Sequence, residues 1–159
     1  MWFDRARQFA QHAAVVQLAL FFHDAIYDTQ RDDNEKQSAN LAVRVLQTVG
    51  ANVELRDTVH QLIMATKHSD QQLAIDDAKL TVDIDLAILG APPIRFEEYE
   101  AQIRQEYQWV PDDVFRQKRS DILRSFLARQ HIYAFQYFQE HLEAQARSNL
   151  QNSLSKLRA

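Results

Sequence analysis

The chain has 159 residues, of which 46% are hydrophobic and 25% charged, with a formal net charge of −4 and no cysteine. That is one domain's worth of ordinary globular sequence, expected to fold as a single domain over 1–159, with no basic field suited to a nucleic-acid polymer. The missing cysteines exclude disulfides, zinc knuckles, iron–sulfur clusters and thiol nucleophiles.

The sequence predicts an all-α protein. No Asn-Gly or Asp-Gly hairpin turn occurs, and no long alternating strand stands out. A short helical piece opens the chain, followed by a helix over 11–26. The mostly apolar run inside it, 13–22, contains Gln17 and is too short to span a bilayer, and nothing resembles a signal peptide. The expectation is a cytoplasmic protein with no membrane contact. A polar loop with Asp28, Arg31 and Asp32 leads to a helix over 34–49, with Asp33 as its N-cap. Asn52 caps a helix running to 67. Further helices are predicted over 76–89, 94–109, 112–129 and 132–156. The glycines, Gly50 and Gly90, each follow an apolar-periodic segment, where a helix C-terminus takes a left-handed residue. Pro92 and Pro93 start the next helix, and Pro111 breaks the pattern after Trp109.

Three segments carry residues suited to chemistry. In Leu18-Ala19-Leu20-Phe21-Phe22-His23-Asp24-Ala25-Ile26-Tyr27-Asp28, an imidazole and a carboxylate stand side by side at the end of an apolar helix. An ionised aspartate in such surroundings needs compensation, and a divalent cation bound by both side chains would provide it. The alternative is a core histidine beside a surface aspartate. In Met64-Ala65-Thr66-Lys67-His68-Ser69-Asp70, Lys67 and His68 are placed either to meet a phosphate or second cation, or to complement the helix dipole. In Leu80-Thr81-Val82-Asp83-Ile84-Asp85-Leu86-Ala87-Ile88-Leu89-Gly90, two carboxylates interrupt an apolar helix. Positions i and i+2 point about 200° apart on a helix. Asp83 and Asp85 therefore cannot both face one site: one is a ligand candidate, and the other caps, pairs or meets solvent.

Taken together, the ordered stretches FFHDAIYD, NEKQSA, ATKH, DIDLAILGAP, IRQEYQWV and EAQARSNL resemble the HD superfamily. More narrowly, they resemble a small family of predicted metal-dependent phosphohydrolases within it, over nearly the whole chain. The resemblance implies an HD-domain-like multi-helix bundle around a divalent metal (Mn, Fe, Mg, Zn or Ni) and hydrolysis of a small phosphate ester or nucleotide. By the same resemblance, His23 and Asp24 match the HD pair. Asp85 matches the distal aspartate, with Asp83 as the fallback. Glu35 and His68 match polar positions that orient water or phosphate. The family's upstream Tyr-His-x-x-x-His segment, which supplies the first metal-binding histidine, would lie before residue 1. His12 does not stand in for it, so the implied site is one histidine short.

On this reading the metal ligands are His23, Asp24 and Asp85. Asp24 or Glu35 orients or deprotonates water, with His68 alongside, and Lys67 and Arg104 meet the phosphate. Arg119, Arg124 and Arg147 are further guanidinium candidates. The charged stretch 117–119 otherwise reads as solvated, and His60, His131 and His141 as structural. The aromatics Tyr107, Trp109, Phe126, Tyr133, Phe135, Tyr137 and Phe138 read as core or interface. Two other classes stand beside the phosphohydrolase. One is a degenerate HD module that binds a nucleotide or protein partner without hydrolysis. The other is a helical interaction protein with no site. A ferritin-like di-iron bundle is disfavoured, since no Glu-x-x-His occurs. The uncovered Phe21 and Phe22 further predict a homodimer, or the first residues folding back across the site.

Overall fold

The computed structural model describes residues 2–68 and 75–158. Every regular element among them is helical, with no strand. The chain divides into two compact units, one ending at Asp85 and the other beginning at Leu86.

In the first unit, α1 (Trp2–Ala6) and a 3-10 turn (Arg7–Phe9) lead to α2 (Ala13–Phe22). Then come α3 (Asn34–Thr48), α4 (Val53–Ala65) and α5 (Asp76–Asp85). α3 and α4 form the most extensive pair, and α2 packs on α3, α4 and α5. Val16, Ala19, Ala39, Ala42, Val59, Leu62 and Ile63 are wholly buried and form the core. Full burial of each larger side chain is worth about 1.5–3 kcal/mol. Phe3 of α1 joins the same cluster, so the first residues are folded onto this core. Phe21, by contrast, is 76% exposed.

The end of α3 follows the sequence reading. Gly50 has φ +75°, and the Ala51 N–H donates to Leu46 C=O while the Gly50 N–H donates to Gln47 C=O. That is a Schellman turn, which needs a left-handed residue. Asn52 then caps α4, its Oδ1 accepting from the Leu55 N–H at 2.8 Å. Asp33 occupies the expected N-cap position of α3, but its side chain makes no capping hydrogen bond. Its carboxylate is taken by Arg31 and Gln37 instead, because a bidentate guanidinium is the stronger donor. The helix expected over 11–26 stops at Phe22, because the main chain of Ile26 is claimed by Ser38 of α3.

The second unit opens with a 3-10 turn (Leu86–Gly90), so the helix expected over 76–89 changes pitch after Asp85. It continues with α6 (Pro93–Glu106) and α7 (Asp112–Ala128). Next come α8 (Gln136–Phe138), a π-helical turn (Gln139–Glu143) and α9 (Ala144–Arg158). α9 packs on α7, on α6 and on the 3-10 turn. Gly90 is not left-handed as expected. It is a point of close approach, since a Cβ there would lie 2.6 Å from Leu142 Cβ. The last helix begins later than position 132, because the Ile132 and Tyr133 N–H groups donate to the Glu143 carboxylate. Tyr133 and Phe138 are core residues, whereas Trp109 is largely exposed. No helix among the described residues is long and apolar enough to cross a membrane.

Candidate functional site

Three elements of the first unit bring polar side chains together. α2 ends at His23, whose backbone N–H still donates to Ala19 C=O. Its ring Nδ1 donates to Leu20 C=O at 2.8 Å, which turns Nε2 away from α2. Nε2 lies 3.2 Å from Asp85 Oδ1 and 3.4 Å from Asp24 Oδ2. The other Asp85 oxygen, Oδ2, lies 3.0 Å from His68 Nε2. Asp85 thus bridges two imidazoles from the last residue of α5. Asp83 is almost wholly buried, and its oxygens are not among these contacts.

His68 reaches Asp85 through an unusual backbone. It is the one non-glycine residue with positive φ (52°) among those described. A β-carbon in that region costs roughly 1–2 kcal/mol, a strain that persists where surrounding structure holds it and that often marks a working site. Ser69 and Asp70 of the same segment lie outside the described residues.

Electrostatics ties these groups together. Burial opposes charging of His23, but the hydrogen bond to Asp85 and the charges of Asp85 and Asp24 outweigh it and raise its pKa to about 9. Burial likewise opposes ionisation of Asp85, yet hydrogen bonds and charge from His23 and His68 bring it down to about 2. Asp24 moves the other way. Burial pushes it up, and the carboxylates of Asp85 and Glu35 add to that against the pull of His23 and His68. Glu35, in the first turn of α3, is therefore electrically part of the cluster.

The remaining sequence candidates fare differently. Lys67 is exposed, and its Nζ donates to Asp32 C=O at 3.0 Å. Arg104, expected to meet phosphate, spends its donors on the end of α6. It bonds Tyr107 C=O at 2.8 Å and Val110 C=O at 3.3 Å, pairs with Asp112 and lies over the Phe115 ring. Carbonyls left open at a helix terminus are strong acceptors, and that demand wins. Arg119 is not solvated: it is buried against Glu100, which also accepts from Ser153. Arg147 ties Glu143 to the Leu127 carbonyl in the last turn of α7 and to the Arg129 and Gln130 carbonyls beyond it, and Arg124 pairs with Asp121.

Sequence reasoning missed Asp77, Ser38 and Asn34. Asp77, wholly buried, accepts from the Gln11 and His12 N–H groups at 2.7 and 2.9 Å and fixes the start of α2. In the sequence it reads as an ordinary acid in the first turn of a helix. Ser38 and Asn34 hold the segment after Asp24 and sit in a stretch that reads as a polar helix start.

Two imidazoles and two carboxylates within direct reach of one another are the donor types that divalent first-row cations take. Contacts of 3.0–3.4 Å between them match the separation of neighbouring ligands about a cation with bonds of about 2.0–2.2 Å. The donor chemistry therefore fits such an ion. The arrangement does not yet enclose one: no group of three or more such side chains among the described residues closes on a single ion position. No family model, curated protein or solved structure matches the chain.

Proposed function

We propose that this chain is a metal-dependent phosphohydrolase of HD type, acting on a small phosphate ester or nucleotide. The observation that carries the reading is the convergence of His23 and His68 on Asp85, with Asp24 on the same His23 nitrogen, from three separate elements. His23, Asp24 and Asp85 would hold the ion, with His68 beside them. The neutral His23 ring has the right tautomer, since Nδ1 keeps its proton on Leu20 C=O and leaves the Nε2 lone pair for the ion. A divalent cation would supply Lewis-acid activation of the phosphate and of water.

The chain's own residues would do the rest. Asp24, half-exposed and with its pKa raised, would accept a hydrogen bond from the attacking water and take its proton. Glu35 would hold that water from the α3 side. Lys67 would exchange Asp32 C=O for a phosphate oxygen. Arg104 drops out of the substrate contacts, because its donors are used within its own unit.

The test is metal content of the purified protein, followed by hydrolysis of p-nitrophenyl phosphate and nucleoside monophosphates with Mn²⁺, Fe²⁺, Mg²⁺, Zn²⁺ and Ni²⁺ in turn. Activity that needs one of these ions and is lost in Asp24→Asn supports the proposal. A protein that stays inactive and metal-free at millimolar ion overturns it. One observation favours a second reading, a degenerate module that binds a nucleotide or partner without hydrolysis: the donor side chains close on each other and not on an ion position. Nucleotide binding without metal uptake or turnover would select it.

A further inference from the structure

We infer that Ser38, with Asn34 beside it on α3, is the positioning residue for the Asp24 carboxylate. The inference rests on the reading of His23, Asp24 and Asp85 as a cation site. It starts from how little else holds Asp24. The Asp24 side chain is 64% exposed, so packing does not lock its rotamer. Apart from its contact with His23 Nε2, its direction comes from the main chain on either side. Before it, the Ala25 N–H donates to Phe22 C=O and closes the end of α2. After it, the chain has left the helix and has no regular partner.

α3 supplies that partner through two side chains. Ser38 is wholly buried, and its hydroxyl accepts from the Ile26 N–H at 3.0 Å and donates to Ile26 C=O at 3.2 Å. A hydroxyl can do both at once, so one side chain satisfies both main-chain groups of one residue. Asn34 does the same for Asp28: its Oδ1 accepts from the N–H at 3.0 Å, and its Nδ2 donates to the C=O at 2.8 Å. Residues four apart on a helix are about 6 Å apart along its axis, close to the span of two residues of extended chain. Asn34 and Ser38 are therefore in register with Asp28 and Ile26. Glu35 sits between the two clamp residues on the same helix, so the clamp also fixes the spacing between the Glu35 and Asp24 carboxylates.

The test uses the full chain and the variants Ser38→Ala, Asn34→Ala and Ser38→Thr, the last keeping the hydroxyl. Three quantities are read: amide exchange at Ile26 and Asp28, the ring ¹⁵N signals of His23 at one fixed pH, and Mn²⁺ affinity by calorimetry. Removing the Ser38 hydroxyl should speed Ile26 exchange at least tenfold, with Leu62 and Ile63 still protected. It should also move the His23 Nε2 signal, and weaken Mn²⁺ binding about 10–100-fold, as loss of a ligand's supporting partner does. Ser38→Thr should retain wild-type values. Faster exchange at Ile26 with an unmoved His23 signal and unchanged Mn²⁺ affinity would overturn the inference, for Ser38 would then tie the chain and position nothing. If Ser38→Ala does not fold, Asn34→Ala carries the same comparison at a more exposed position. If the wild-type chain takes up no Mn²⁺, the proposed function falls, and the His23 signal alone decides for or against the clamp.

Discussion

Up to Asp85 the chain carries eight basic and thirteen acidic side chains and four of its six histidines, while from Leu86 onward it carries ten basic and nine acidic ones. The balance decides what each unit does with its polar interior. In the second unit, arginine is available for each demand. Arg119 meets Glu100 and stays charged, since that partner outweighs the burial that would otherwise discharge it. Arg147 joins Glu143 to the carbonyls beyond α7, and Arg104 closes α6. A guanidinium keeps its proton throughout the ordinary pH range. In the first unit the inward carboxylate of Asp85 finds imidazole, which gains and loses charge within the ordinary range. Glu100 and Glu143 meet guanidinium in one unit, and Asp85 meets imidazole in the other. The cationic partner makes the difference.

Substitutions sharpen that contrast. The largest effect belongs to Asp85→Asn, which keeps the side chain's shape but removes the charge between two imidazoles and turns one acceptor oxygen into an NH2 donor. Divalent-cation uptake should fall below detection by calorimetry, and any metal-dependent hydrolysis by three orders of magnitude or more, with the far-UV dichroism unchanged. A variant that still binds metal like the wild type would put the site elsewhere.

The counterpart in the second unit is Arg119→Ala. It leaves the partly buried Glu100 carboxylate with Ser153 alone and should destabilise the protein by about 3 kcal/mol in urea. If the loss were within the range of a surface pair, the pairing there would not be structural.

Next comes pH. The folded pKa of His23 is raised to about 9, so its contribution is whole below the unfolded value of 6.5 and is lost as pH rises through about 9. That of Asp85 is lowered to about 2, so its contribution is present above the unfolded value of 3.8 and lost as pH falls through about 2. The full linkage of the His23 shift is roughly 3 kcal/mol, and solvent screening of this part-exposed ring cuts it to about 2, so stability of the metal-free protein should decline by about that much between pH 6.5 and 9. His23→Gln should flatten that alkaline limb, whereas Arg119→Ala should leave its slope alone. The smallest effect is Asn52→Ala, which removes the α4 cap and should cost about 1 kcal/mol, measurable as a lower urea midpoint without change in the His23 ring signals.

The helical class, the sites of most helices, the left-handed Gly50 and the Asn52 cap can be read along the chain, because each depends on residues within a few positions of one another. That Asp83 and Asp85 cannot both face one site is also local, since two positions apart on a helix cannot share a face; which of them meets His23 and His68 is shown only by the packed helices. Other features depended on partners distant in sequence. Gly90 reads as a C-cap but is small to admit Leu142; Arg104 reads as a phosphate contact and Arg119 as part of a solvated stretch, but they are spent on Val110 and Glu100. Ser38, Asn34 and Asp77 look like common residues of a helix start until the main-chain groups they hold come into view. Nor does sequence spacing reveal that His68 turns left-handed to meet Asp85. Periodicity and capping are short-range and repeat along the chain. A buried polar group takes whichever partner the packed helices bring within 3 Å, and only the tertiary structure makes that choice.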